Sequence, residues 1–301
     1  MNKTKKIVLI IACVLLGIGL VVGCVGLCSL GFDFRKLETY KLQTRVYEFE
    51  EDFTSLHLDM RTADLTLLPA QDNKTKVVCE EKENQPHSVL VKDGALTIEV
   101  EDNRKWYEYI GFNFGKQTVT VYLPKSEYAK ITVDVTTGDV HIPKEFLFNQ
   151  AKITSNTGDV VWSAGVSEGL AIETDTGEIE VGSLTSEASL ELKSDTGDME
   201  IFDITCKTLT IETNTGDLEL DRVIIANALT IETDTGEVEI NDSDAGTVKV
   251  VTDTGDVSGV WLSDKIFITQ THTGDVDVPK TTSGGVCEVH TDTGDIWFRI
   301  K

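Results

Sequence analysis

A Thr-Gly-Asp/Glu triplet recurs nine times between residues 137 and 295, and this repeat constrains the fold more than any other feature of the chain. Successive triplets are 19 or 20 residues apart, measured between their glycines. A repeat of this length can bury an apolar face only against its neighbours, so the period predicts a solenoid over more than half of the chain. The glycines are Gly138, Gly158, Gly177, Gly197, Gly216, Gly236, Gly255, Gly274 and Gly294.

Aligning the repeats on the glycine separates inward from outward positions. The residues seven and five places before each glycine are mostly apolar, as are those two and four places after it, which gives the period of two that strands show. Each repeat therefore contributes two strands to one core. The position three before the glycine is mostly Ser or Thr, and stacked hydroxyls there could hydrogen-bond to each other.

Two architectures fit this pattern: a meander of hairpins and a β-helix whose corners stack. In a tight hairpin centred on Thr-Gly, the flanking acidic residues would lie opposite each other, which is unfavourable, and such turns prefer Asn-Gly. The pattern therefore favours an all-β, single-stranded β-helix. We expect about nine regular coils, preceded by degenerate N-terminal coils and one transmembrane helix.

The N-terminus contains an apolar segment that is long enough to cross a membrane. Residues 7–30 carry no charge, and Lys3, Lys5 and Lys6 precede them, which predicts a cytoplasmic N-terminus and an extracytoplasmic remainder. A cleaved secretory signal is an alternative. A lipoprotein modified at Cys24 is another, although the residues after Cys24 stay apolar. The expected location is the cell membrane, with a single pass.

The predicted organisation has five parts. These are a cytoplasmic tail (1–6), a transmembrane helix (7–30), a juxtamembrane linker (31–45), an irregular β cap of degenerate coils (46–130) and the regular solenoid (131–301).

Composition restricts the partners. The formal net charge of -24 excludes a nucleic-acid-binding surface, and cations are the natural counterparts of such a chain. Three cysteines lie in the apolar segment and three are widely spaced beyond it, which is not a disulfide framework. Cys287 occupies an apolar column and is predicted to be buried.

Three segments in sequence order resemble a known family. They are Asp-Gly-Ala-Leu-Thr-Ile (93–98), Thr-Val-Thr-Val-Tyr-Leu-Pro (118–124) and Ile-Thr-Val-Asp-Val-Thr-Thr-Gly-Asp-Val (131–140). They look like the bacterial "putative adhesin" family, and the similarity covers about residues 46–301. The resemblance implies β-solenoid domains of unknown function on envelope-associated proteins, some encoded beside envelope-stress regulators in Gram-positive bacteria. It supplies no catalytic residues.

The sequence does not favour an enzyme. Asp-Thr-Gly, which surrounds the carboxylates of aspartic proteases, occurs at coil spacing rather than as one pair that shares a proton. A Ca²⁺-dependent glycan-cleaving β-helix is a distant alternative, because its acidic cluster would interrupt the repeat locally. The five histidines show no metal-ligand spacing and are interpreted as surface variation.

The residue after each glycine is always acidic, and we call this column the acidic stripe. Because Asp and Glu exchange there, charge is interpreted as the property that the column keeps. Its oxygens could bind Ca²⁺ or Mg²⁺ weakly, whereas the alternative is a solubilising face without a cofactor. The stripe consists of Asp139, Asp159, Glu178, Asp198, Asp217, Glu237, Asp256, Asp275 and Asp295.

Two aromatic groups are candidate partner-binding sites. Trp106, Tyr107 and Tyr109 lie in an aromatic segment between Lys105 and Lys116 that could contact sugar or protein, or fill the core of the cap. Trp297 and Phe298 belong to the last repeat, which is expected to form an uncapped end of the solenoid. Either Arg299 and Lys301 protect this end with their charges, or it docks on another subunit through Trp297 and Phe298.

These features together predict a membrane-anchored, non-enzymatic binding or scaffold protein of the bacterial envelope. The expected partners are the membrane, through the N-terminal helix, and envelope polysaccharide or another envelope protein. An accessory component of an envelope-stress system is the alternative that the family resemblance suggests.

Overall fold

The computed structural model describes residues 3–29, 31–32, 42–106 and 115–301. The predicted contacts of Tyr107 and Tyr109 lie outside these residues. Helix α1, Lys3–Ser29, is the one helix described, and its segment Lys5–Ser29 is apolar and long enough to span a membrane. None of that segment is buried against the rest of the described chain.

The remaining described elements are strands, which confirms the all-β prediction. They are β1 (Leu42–Phe49), β2 (Ser55–Met60), β3 (Ala63–Pro69), β4 (Thr75–Lys82), β5 (His87–Lys92), β6 (Ala95–Val100), β7 (Gln117–Leu123), β8 (Glu127–Val135), β9 (Val140–Ile142), β10 (Leu147–Thr157), β11 (Val160–Trp162), β12 (Gly165–Thr176), β13 (Ile179–Gly182), β14 (Ser189–Thr196), β15 (Met199–Thr215), β16 (Leu218–Thr235), β17 (Val238–Thr254), β18 (Val257–Trp261), β19 (Lys265–Thr273), β20 (Val276–Asp277), β21 (Gly285–Thr293) and β22 (Ile296–Ile300).

The strands form a β-solenoid in which equivalent residues of neighbouring coils stack in parallel register. In the middle of the rod, Leu209 pairs with Leu229 and Ile211 with Ile231. The predicted inward columns are buried there, with exposures of 1% or less for these four side chains. The apolar columns thus form one continuous core, and the hairpin meander is excluded for the regular repeats.

Every coil turns at its Thr-Gly corner, where the backbones of successive coils come very close. Gly216 has a φ of 153°, and a Cβ built on it would lie 2.1 Å from the carbonyl oxygen of Gly197. The amide of Gly216 donates to the carbonyl oxygen of Thr235 at 3.0 Å, so the backbone ladder continues around the corner. Glycine is required by both the dihedral angle and the space.

The order of the coils along the rod differs from their order in the sequence at the C-terminal end. β21 lies between β17 and β19, with Val248 paired to Cys287 and Phe267 paired to the same residue on the other side. Similarly, β22 lies between β18 and β20. The repeat of Gly294 is therefore an interior coil, and β19 and β20 form the end.

This arrangement corrects the prediction for Phe298. Its side chain is fully buried, and its ring stacks on Trp261 at 5.9 Å and on Phe267 at 5.7 Å between centroids. Phe298 therefore belongs to the core and offers no surface to a partner. Trp297 points to the other face, is 41% exposed and lies under the guanidinium of Arg299 at 4.7 Å.

A similar interchange occurs at the N-terminal end. β2 lies between β6 and β8, and β3 lies between β7 and β9. Antiparallel strands then extend the two edges, since β5 pairs with β6 while β4 and β1 follow β7. The described parts of 46–130, residues 46–106 and 115–130, thus share the core of the regular repeats, and β1 already begins at Leu42 in the predicted linker.

The hydroxyl column does not form the predicted ladder. Six of its buried hydroxyls have no hydrogen-bond partner: Ser155, Thr174, Ser194, Thr213, Thr233 and Thr252. In the two coils at the C-terminal end, Thr271 and Thr291 donate instead to the carbonyl oxygens of Gly294 and Gly255, at 3.0 and 3.3 Å. These two hydroxyls bond to the glycine corner rather than to each other.

Candidate functional site

The acidic stripe runs along one edge of the rod, and most of its aspartates hold neighbouring coils together. One carboxylate oxygen of Asp217 accepts the backbone N–H of Glu237 at 2.8 Å, and Asp198 accepts that of Asp217 at 2.9 Å. The same contact recurs where Asp64, Asp139, Asp159, Asp256 and Asp295 precede the next acidic residue in the stack. These aspartates cap the corner of the adjacent coil.

Glutamate does not make this contact. The amides of Asp198 and Asp256, which follow Glu178 and Glu237 in the stack, donate no such hydrogen bond to a carboxylate. The longer side chain places its carboxylate beyond the neighbouring amide. Side-chain reach therefore matters in this column as well as charge, which corrects the interpretation that charge alone is kept.

A second column of carboxylates runs beside the stripe and was not singled out from the sequence. Glu180, Glu200, Glu219 and Glu239 pair directly with one another across four parallel strands, and we call them the outer file. They stand three places after their glycines and face the same side as the stripe because side chains alternate along a strand. The signal was available, since four consecutive repeats carry Glu at that position.

The stripe and the outer file together line a shallow acidic groove. Its walls include Asp198, Glu200, Asp217, Glu219 and Glu237. Within the described residues, no Lys or Arg forms an ion pair with the outer file or with the stripe between Asp159 and Asp275. The groove is therefore a concentration of negative charge that the described part of the chain does not neutralise.

The pKa of Glu178 reflects this environment. Partial burial raises it most, and the carboxylates of Glu200, Asp159, Glu180 and Asp198 raise it further. Both effects disfavour the ionised form, because burial removes water and the neighbours carry like charge. A bound cation would offset both effects by stabilising the ionised carboxylate.

The N-terminal end of the stripe is neutralised by a lysine. Lys116 Nζ contacts Asp64 at 2.9 Å and Asp139 at 3.0 Å. Partial burial opposes ionisation of Asp139, but the hydrogen bonds from Lys116 and from the Asp159 amide outweigh it and lower the pKa of Asp139. The open groove consequently lies in the middle of the rod rather than at this end.

The structure keeps the acidic stripe together but separates the aromatic candidates from each other. The nine stripe residues lie together on one edge, in the order set by the interchanged coils, so that Asp295 precedes Asp275. Among the aromatic candidates, Trp106 is 79% exposed and lies on the N-terminal part of the chain, far in sequence from Trp297. The two tryptophans belong to different ends of the rod.

One histidine interpretation is wrong. His87 is not surface variation, because it is buried and its Nδ1 lies 2.8 Å from Glu81, itself fully buried and 3.0 Å from Arg45 Nε. Cys79 lies against the same pair, and burial, followed by the Glu81 charge, raises the pKa of its thiol to about 12. Glu81 thus links β4, on which it lies, to β1 through Arg45 and to β5 through His87.

Comparisons with known proteins agree with this architecture. Residues 53–296 match the protein family described as Toastrack DUF4097. A crystal structure named "putative adhesin" from Bacteroides fragilis is 18% identical, with a TM-score of 0.51, and the match covers 87% of this chain and 97% of that one. Another structure of that name, from Parabacteroides distasonis, is 14% identical with a TM-score of 0.55, covering 86% and 98%. No curated protein sequence matches.

Proposed function

Because the chain belongs to the Toastrack DUF4097 family, we propose that it is a membrane-anchored β-solenoid that acts as a non-enzymatic binding scaffold of the bacterial envelope. The solved structures named as adhesins share its fold, and they support the envelope setting without identifying a ligand. The apolar helix α1 supports anchoring.

The anchoring proposal includes an orientation. Lys3, Lys5 and Lys6 precede the apolar segment, and basic residues favour the cytoplasmic side. The solenoid, residues 42–301, then lies outside the cytoplasm. Since none of the apolar segment packs on the described solenoid, the solenoid should fold without it.

The acidic groove is the observation that carries the binding role. Parallel strands about 4.8 Å apart fix the carboxylates of the outer file in a row. At that spacing, like charges repel by about 1 kcal/mol per pair even in water. A surface that keeps six carboxylates together at this cost is suited to a cationic ligand, either Ca²⁺ or Mg²⁺ or a basic group on an envelope polymer or protein.

The test uses the solenoid, residues 42–301, and two matched charge variants. The first removes three charges from the groove through Glu180→Gln, Glu200→Gln and Glu219→Gln, which leaves the aspartate capping contacts in place. The second removes three charges from exposed positions elsewhere on the rod through Glu173→Gln, Glu187→Gln and Glu288→Gln. Both variants change the net charge equally.

Calorimetry with millimolar Ca²⁺ and cosedimentation with isolated bacterial envelopes are the measurements. The proposal predicts that the groove variant loses Ca²⁺ binding or envelope binding while the control variant keeps it. It would be refuted if the unmodified solenoid bound neither, or if both variants bound equally well. For the orientation, a protease added outside intact cells should digest the solenoid of the full chain.

A further inference from the structure

We propose that His272, His290 and Asp292 form a binding site for a transition-metal dication of the Zn²⁺ class at the C-terminal end of the rod. The site is separate from the acidic groove, and it rests on the geometry of three side chains from two adjacent strands. One ligand atom from each of the three lies within 4.8 Å of the others.

The measured distances match those between ligands of a small metal ion. Asp292 Oδ1 lies 3.0 Å from His272 Nδ1 and 3.5 Å from His290 Nε2. Two donor atoms that each stand about 2.0–2.1 Å from a tetrahedral Zn²⁺ are about 3.3 Å apart. Both imidazoles therefore already converge on one carboxylate oxygen at nearly the separation that the metal requires.

The backbone fixes this convergence. His290 and Asp292 stand two places apart on β21, so their side chains leave the same face of the strand. β19 pairs with β21 such that Thr271 faces Thr291 and Thr273 faces Thr293, which places His272 beside Asp292. β21 is held on both sides, by β17 and by β19, so two of the three ligands come from an interior strand.

His272 and His290 occupy positions at which the other repeats carry different residues, so the fold does not require histidine there. At the position of His272, two places before the glycine, the other repeats carry Asp, Asn or Thr. At the position of His290, four places before it, no other repeat has histidine. Asp253 follows Asp292 in the same column on the next strand, and its charge favours a cation nearby.

The ligand types select the metal. Two imidazole nitrogens with one carboxylate oxygen suit Zn²⁺, Ni²⁺ or Cu²⁺, whereas Ca²⁺ and Mg²⁺ prefer oxygen ligands only. Three protein ligands also leave a fourth position open for water or for a donor from another molecule. The side chains are accessible, with exposures of 64% for His272, 36% for His290 and 55% for Asp292.

The experiment titrates Zn²⁺ into the solenoid, purified without a polyhistidine tag, by calorimetry. Co²⁺ absorption spectra report the coordination geometry. We expect one equivalent to bind, and the variants His272→Asn and His290→Asn each to weaken binding about tenfold or more, because each removes one of three ligands. His141→Asn is the matched control, since His141 is an exposed histidine on a distant coil, and it should bind normally.

Two further measurements separate this site from other outcomes. Melting curves without metal should be the same for all variants, so that lost binding is not lost folding. The groove variant Glu180→Gln/Glu200→Gln/Glu219→Gln should keep its Zn²⁺ site, and this result is independent of whether the groove binds Ca²⁺ or envelopes. Absence of stoichiometric Zn²⁺ binding, or equal binding by the wild type and His272→Asn, would overturn the proposal.

Discussion

Replacing Gly216 by alanine should strongly destabilise the rod, because this glycine lies at a corner where the backbones of two coils come very close. Its φ of 153° is a conformation that residues with a Cβ rarely adopt. The new Cβ would also lie 2.1 Å from the Gly197 carbonyl oxygen, which is backbone and cannot rotate away. The coils must therefore separate locally or the corner must change its dihedral angles.

The size of the effect can be worked from these contacts. A residue with a Cβ held in this backbone conformation costs about 1–3 kcal/mol. Separating these two coils to an ordinary contact distance disrupts the hydrogen bonds from Gly197 N to Thr215 O and from Met199 N to Asp217 O, both now 2.9 Å. Each is worth about 1 kcal/mol, so we expect the free energy of unfolding to fall by about 3–5 kcal/mol.

Urea denaturation of residues 42–301, followed by circular dichroism, measures this change. The matched control is Gly169→Ala, since a Cβ there would lie 3.7 Å from the nearest backbone oxygen, that of Ser189, at an ordinary contact distance. That variant should remain within about 1 kcal/mol of the wild type, because its backbone conformation accepts a side chain. Equal stability of the two variants would refute the close-approach argument.

Two further predictions concern the stripe and the buried thiols. Asp217→Ala should destabilise the solenoid by about 1 kcal/mol through loss of its bond to the next amide, whereas Glu237→Ala, which removes no such bond, should be neutral or slightly stabilising in urea titrations. A deficit for Glu237→Ala as large as that for Asp217→Ala would contradict the capping role. Burial raises the pKa of Cys79, Cys206 and Cys287 to about 12, so these thiols should react with Ellman's reagent at pH 8 only after unfolding. Because the pKa values in the folded state lie above the ordinary thiol value of 9.0, the contribution of these thiols to stability is present below pH 9 and is lost as the pH rises towards 12.

The core of the regular coils could be predicted from the sequence because each inward column repeats at a fixed distance from its glycine. Leu209 and Leu229, for example, pair as the alignment of repeats implies. The same alignment supplies the stripe as one continuous edge. In these coils, local periodicity and tertiary contact carry the same information, since each coil touches only its two neighbours.

The order of the coils could not be predicted in this way. Val248 would pair equally well, by register, with Phe267 of the next repeat or with Cys287 of the one after it, and the structure selects Cys287. Equivalent positions carry similar apolar residues, so the repeat specifies the register of a pairing but not its partner. The burial of Phe298 and the exposed position of β19 follow from that choice.

The hydrogen bonds made by individual columns could be predicted only in part from the sequence, for a different reason. Whether Asp217 caps a neighbouring amide depends on a distance between coils, which a sequence alignment does not contain. The exchange of Asp for Glu suggested charge, but only coordinates show that Glu237 accepts no hydrogen bond from the next amide. The buried pair of Glu81 and His87 likewise lies on antiparallel strands of the N-terminal region, where the repeat is absent.

The interior position of β21 and β22 has a consequence for biosynthesis. These strands leave the ribosome after β19 and β20, yet they must enter between them and the coil of β17 and β18. Vectorial folding, coil upon coil, can therefore proceed only as far as Trp261. The last forty residues must therefore assemble as one cooperative event after they have been synthesised. A truncation that removed β21 and β22 would delete an interior coil and leave β19 and β20 without the strands on which they pair.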